Sequence, residues 1–203
     1  MAGEYLRSPG DIVGPFRIGR QIGAGMEGTV YLVSDIRNGS LGTLKLLRGR
    51  NMIEQAEHTA RYYRRLHGIG SIKRFREWGV VSGERGVGER PWLAFDYIPG
   101  ESLAQKIAAR RIGDALNVLI KICDALLPVH RGGFAIGDFD HGRNVIVERG
   151  TGLIKFCDLD AGTPDQAPPS AAEDLSELLA CAASMFAVES RVKRVRASRD
   201  LRK

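Results

Sequence analysis

Three closely spaced glycines, Gly23, Gly25 and Gly28, lie in residues 22–30, and Lys45 follows Val30 by fifteen residues inside the apolar stretch 42–47. Glycine has no Cβ, so backbone amides at such positions can approach an anion closely. A lysine among apolar neighbours is poorly solvated unless an anion meets it. Together these residues point to a site for phosphate groups. Glycines at this spacing also open dinucleotide-binding units, where a helix follows the last glycine and takes the pyrophosphate at its N-terminus. Here Thr29-Val30-Tyr31-Leu32-Val33 follows, a β-branched and aromatic run that reads as strand and favours a nucleotide site built between strands. Further on, Asp158 directly follows an apolar run ending Phe156-Cys157, and an acid at a strand end has few structural uses. Cys123, Cys157 and Cys181 are odd in number and far apart, a pattern of buried thiols in a reducing compartment rather than of a disulfide frame or zinc site. His130 and His141 have no second His or Cys at ligand spacing and read as locally satisfied polar groups.

The elements that must hold these residues change character along the chain. Residues 16–22, 29–34, 43–47, 75–81 and 92–97 are β-rich runs separated by turn signals, predicting a small antiparallel sheet. Within 51–67, Ile53, Ala56, Ala60, Tyr63 and Leu66 recur at three- and four-residue steps, predicting one helix against that sheet. After Pro99-Gly100 the pattern turns helical. Ser102 caps a helix over 103–110, and Asp114 caps a longer one with Leu116, Leu119, Ile120, Cys123, Leu126 and Leu127 inward. Residues 145–147 and 153–156 form a hairpin. A last amphipathic helix, from 171 to about 188, carries Leu175, Leu178, Leu179, Ala182, Met185 and Phe186 on one stripe. No internal repeat is visible.

From Gly14 to Phe186 the order of these motifs resembles the protein-kinase-like superfamily. Gly23-x-Gly25-x-x-Gly28-x-Val30 is similar to its phosphate-covering loop, and Lys45 to the strand lysine that meets the ATP phosphates. Residues 92–103, Trp-Leu-Ala-Phe-Asp-Tyr-Ile-Pro-Gly-Glu-Ser-Leu, resemble the hinge, whose backbone at Asp96, Tyr97 and Ile98 would meet the adenine edge. Ile136-Gly137-Asp138 stands where His-Arg-Asp is usual, so the resemblance implies Asp138 as catalytic base and Asn144 and Asp158 as Mg2+ ligands. It also implies a helix acid paired with Lys45. Glu57 lies beside the apolar face and is favoured over Glu54, its alternative being a surface pair with Arg61.

The resemblance thus implies an α+β, two-lobed kinase-like fold: an extension over 1–13, an N-lobe of antiparallel sheet plus one helix over 14–97, a reduced, mainly helical C-lobe over 98–190, and a basic tail over 191–203. It implies an ATP- and Mg2+-dependent phosphotransferase acting on a protein Ser/Thr or sugar-type hydroxyl. The departures are specific. The loop from Asp138 to Asn144 is one residue longer than usual, which makes Asp140 a rival base. The arginine before Asp138 is missing, so docking of a phosphorylated loop on it is not expected. Asp174 follows Asp158 by only sixteen positions, without an Ala-Pro-Glu signature between them, as in small-molecule and lipopolysaccharide kinases of the superfamily. A nucleotide-binding regulator acting through a protein partner is the alternative function.

Composition bounds these readings. The 203 residues are 43% hydrophobic, enough for a real core. No run of eighteen apolar residues and no secretory leader pattern is present, so a cytoplasmic protein without integral membrane segment is expected. The net charge of +6 resides in residues 191–203, with seven Lys/Arg and one Asp, and the rest is neutral with 23 basic and 23 acidic residues. That tail lacks aromatics, which argues against a nucleic-acid groove and for a solvated helix end or a contact with an acidic partner.

Overall fold

The structure is a computed structural model. It describes residues 7–49, 52–82, 88–109, 111, 114–163 and 168–200, with side chains through Arg194. Parts of the expected N-terminal extension (1–6), the first residue of the first helix (Asn51), the end of the second (Arg110), part of the segment after Asp158 (164–167) and the tip of the basic tail (201–203) lie outside the described residues. The chain divides into two compact units, Met1–His67 with Arg74–Tyr97, and Gly68–Lys73 with Ile98–Lys203.

The first unit contains strands β1 (Ile12–Val13), β2 (Phe16–Ala24), β3 (Gly28–Asp35), β4 (Leu41–Leu47), β5 (Phe75–Val81) and β6 (Arg90–Asp96), with helix α1 (Ile53–Arg65) between β4 and β5. The strands form one antiparallel sheet in the order β1-β2-β3-β4-β6-β5. Alternation along β3 buries Tyr31 and Val33, which join Val13, Phe16, Ile18, Leu44, Leu46, Trp92 and Ala94 in one core. Phe16 meets Trp92 edge-on, with ring centroids 5.7 Å apart. Helix α1 buries Ala56, Ala60, Tyr62 and Tyr63, and the Tyr63 ring lies 4.9 Å from Phe95 and 6.1 Å from Phe75. Small alanines beside a large ring let the helix lie close to a sheet.

The second unit contains a three-stranded sheet in the order β7 (Gly100–Ser102), β8 (Val145–Glu148), β9 (Ile154–Phe156), together with α2 (Leu103–Ala108), α3 (Ala115–Arg131) and α4 (Ala171–Asp200). The short strand β7 is absent from the sequence expectation. Its glycine is a packing requirement, since a Cβ on Gly100 would stand 2.4 Å from the Val147 carbonyl oxygen. Both expected caps are present. Ser102 and Gln105 form a reciprocal capping box at α2, and Asp114 accepts from Asn117 N at α3. Residues 68–73 join this unit by backbone bonds from Phe156 N to Ser71 O and from Lys73 N to Phe156 O, each 2.8 Å, and by Ser71 Oγ donating to Ala125 O at 2.6 Å.

Three expectations need correction. On α3 the buried row is Ala115, Ile122, Leu126 and Val129, whereas Leu116, Ile120 and Leu127 are exposed. The helix carries two apolar rows, and periodicity alone did not say which one packs. On α4, Leu178, Cys181, Ala182 and Met185 are buried while Leu175, Leu179 and Phe186 are exposed, and the helix continues to Asp200, well past 188. Of the three thiols only Cys181 is buried; Cys157 is intermediate and Cys123, on the outer row of α3, is exposed.

Candidate active site

In the first unit, the glycine run is the tip of the β2–β3 hairpin. Gly23 pairs with Val30 and Ala24 with Thr29, and the turn closes through Gly25 N to Gly28 O at 2.9 Å. The three glycines differ in why they are glycine. A Cβ on Gly28 would stand 2.3 Å from the Leu46 carbonyl oxygen, so packing alone excludes a side chain. A Cβ on Gly25 would meet nothing within 4 Å, and one on Gly23 only ordinary contact with Val30. Bare backbone at 23 and 25 therefore has no packing cause, which fits a cradle open to an external anion. Lys45 lies opposite Val30 on β3 and Leu93 on β6. Its Nζ is 2.7 Å from Oε2 of Glu27, a residue of the turn itself, with side chains 13% and 63% exposed.

The acid expected from α1 does not meet Lys45. Glu57 lies on the outer face, about half exposed, and pairs with Arg61 one turn on at 3.2 Å. Glu54 is also exposed. The inward positions of this helix are taken by Ala56, Ala60, Tyr62 and Tyr63, so the pairing of Lys45 with Glu57 is replaced by the pairing with Glu27. At the end of β6, Asp96 accepts from Arg76 Nε at 2.6 Å, and its N–H donates to Arg74 O at 2.9 Å. Tyr97 and Ile98 follow as half-buried, irregular chain.

In the second unit, Asp138, Asn144 and Asp158 come together. Asn144 Nδ2 donates to Asp138 O at 3.2 Å and lies 3.4 Å from Asp138 Oδ2 and 3.5 Å from Asp158 O. The loop from Asp138 to Asn144 contains three consecutive left-handed residues, Asp140 (φ 40°), His141 (φ 51°) and Gly142 (φ 86°). Such backbone is unusual for non-glycine residues and concentrates at functional sites. Asp158 is left-handed as well, with φ 53°. Asp140 turns its carboxylate to Arg143 at 3.2 Å, while its N–H donates to Asp138 Oδ1 at 2.7 Å. Burial raises the Asp138 carboxyl above the usual aspartate range; the Asp140 N–H opposes this, and the charges of Glu177, Asp140 and Asp158 add to it.

In the sequence Asp174 marks only the start of the last helix. Its carboxylate is fully buried and accepts from Ile136 N at 2.9 and 3.1 Å and from Gly137 N at 2.8 Å. It also lies 2.7 Å from His130 Nε2. One turn on, Glu177 Oε2 accepts from Phe139 N at 2.6 Å. Two acids at i and i+3 of α4 thus bracket Asp138, holding the backbone on both sides of it. The signal available in the sequence was the spacing Asp174-x-x-Glu177 at a helix start, which puts both on one face.

The donor set suits a hard cation. Among the described residues no group of three His, Cys, Asp or Glu could hold a metal ion. Asn144 and Asp158 carry the hard oxygen donors that could hold such a cation. No helix among the described residues is long and apolar enough to cross a membrane.

The kinase domain of Mycobacterium tuberculosis PknI superposes with TM-score 0.65 over 90% of this chain and 78% of that domain, at 21% identity. The fold is therefore that of a protein kinase domain: antiparallel sheet with one helix, then a mainly helical unit. The curated relatives are bacterial serine/threonine kinases. They include the probable serine/threonine-protein kinase PkwA of Thermomonospora curvata, 27% identical over 153 residues, and the serine/threonine-protein kinase AfsK of Streptomyces coelicolor, 25% identical over 194 residues. These matches cover 73% and 88% of this chain but 20% and 24% of the relatives, so the chain spans about a quarter or less of their length. No protein-family model matches the chain.

Proposed function

We propose that the protein is an ATP-dependent phosphotransferase that moves the γ-phosphate of Mg-ATP to a hydroxyl acceptor. The observation that carries this reading is the Asn144 amide bridging Asp138 and the backbone of Asp158. In this reading Asp138 accepts or orients the acceptor's proton, the acceptor oxygen bonds to the γ-phosphorus, and the bond to the ADP oxygen breaks. Gly23, Gly25, Gly28 and Lys45 attend the phosphates, Val30 and the backbone of Asp96, Tyr97 and Ile98 attend the base, and Asn144 and Asp158 are the metal ligands. Mg2+, when bound, neutralises charge on the phosphate oxygens. Names of the curated relatives support a protein serine or threonine as acceptor, and the chemistry suits a cytoplasmic setting where ATP is abundant.

The test compares wild type with Asp158→Ala and Asp138→Asn in transfer from labelled Mg-ATP and in Mg-ATP binding. Asp158→Ala is expected to abolish transfer and weaken binding. Asp138→Asn is expected to spare binding while lowering transfer by about 100-fold or more. Unchanged turnover in both variants overturns the reading.

A further inference from the structure

One acid that Lys45 meets comes from an unexpected element. The apolar side of α1 offers no carboxylate, since Glu54 and Glu57 face outward and Glu57 is engaged by Arg61. Glu27 sits in the glycine turn, and that turn is fixed from several sides. Arg48 N donates to Glu27 O at 2.8 Å, Gly25 N to Gly28 O at 2.9 Å, and the Arg48 guanidinium reaches Met26 O at 3.4 Å. Gly28 is wedged against the Leu46 carbonyl. The carboxylate that meets Lys45 at 2.7 Å thus hangs from backbone with little freedom, while its own tip remains largely in water.

We propose that Glu27 is the positioning residue for Lys45, doing from the glycine turn what an acid on α1 would otherwise do. The proposal rests on the nucleotide-binding reading above. An ammonium has three donors, so Lys45 can keep its bond to Glu27 and still donate to a phosphate oxygen. The arrangement has two opposed effects. Glu27 holds the Lys45 side chain in one orientation, which favours turnover. It also sets a negative charge beside the anionic polyphosphate, which opposes ground-state binding. Because cradle and counter-ion share one turn, α1 need not move for Lys45 to be aligned.

These effects give Glu27→Gln a distinctive signature. The variant keeps the shape and loses the charge, so it should bind Mg-ATP about threefold more tightly while turning it over about tenfold more slowly, a split between KM and kcat. In a Lys45→Met background the same substitution should produce no further loss of turnover. Apparent melting temperature and adenosine affinity should stay at wild-type values. Unchanged turnover overturns the proposal, as does weaker binding together with lower turnover, the pattern of a collapsed turn. An equal loss in the Lys45→Met background overturns it too. Wild type that binds Mg-ATP without turnover refutes the enzymatic reading alone, and the direction of the Mg-ATP affinity change then decides the role of Glu27. Wild type that does not bind Mg-ATP overturns both.

Discussion

Glycines 25 and 28 lie three residues apart in one turn and answer to different causes, which single substitutions can separate. Gly28→Ala drives a Cβ into the Leu46 carbonyl and should cost about 1–3 kcal/mol of stability in chemical denaturation. Gly25→Ala meets open space, so stability should hold or rise by up to about 1 kcal/mol while Mg-ATP affinity falls. Asp138 offers a second residue-scale prediction. Its raised pKa means the carboxylate is lost at higher pH than for an ordinary aspartate, so the acidic limb of the pH–rate profile should lie high. Glu177 contributes to that rise, and removing a nearby negative charge eases ionisation. Glu177→Gln should therefore move the acidic limb to lower pH, as read from turnover across the acidic range.

Among the elements, the β3–β4 hairpin depends on Asp35 at the end of β3. Its buried carboxylate accepts from Arg37 Nε at 2.8 Å, Nη2 at 2.7 Å and N at 3.0 Å, with Arg76 at 4.0 Å. The Arg37 hydrogen bonds hold its pKa at about 2, below the ordinary 3.8. A depressed acid stabilises the fold above its unfolded pKa, and that contribution is lost as pH falls from about 4 through about 2. The urea midpoint of wild type should drop over this interval, whereas Asp35→Asn should start lower at neutral pH and drop less. Helix α4 shows what periodicity leaves unsaid. Of its expected stripe Leu178, Ala182 and Met185 face inward while Leu175, Leu179 and Phe186 do not, and the amides captured by Asp174 lie 37 and 38 residues earlier in the chain, where no local pattern encodes a partner at that distance.

For the molecule as a whole, the parts readable from the sequence were those dictated by local chemistry. The β-rich runs and the caps at Ser102 and Asp114 each follow from residues near one another, whereas Asp138, Asn144 and Asp158 stand out only through the resemblance of the motif order to the protein-kinase-like superfamily. The pairing of Lys45 with Glu27 did not follow, because Glu27 reaches it from the turn of the β2–β3 hairpin. A ligand that binds only the folded protein stabilises it against unfolding. Mg-ATP at about 100 times its Kd should add about 2.7 kcal/mol, seen as a rise of several degrees in melting temperature, and Asp158→Ala should lose most of it. The excursion of residues 68–73 has a practical meaning for anyone who would take the protein apart. The chain crosses between units at three junctions, 67/68, 73/74 and 97/98. A fragment ending at Tyr97 would carry away Ser71 and Lys73 and strip β9 of the backbone partners they supply. The second unit is thus a discontinuous module, transferable to another protein only as two pieces of chain.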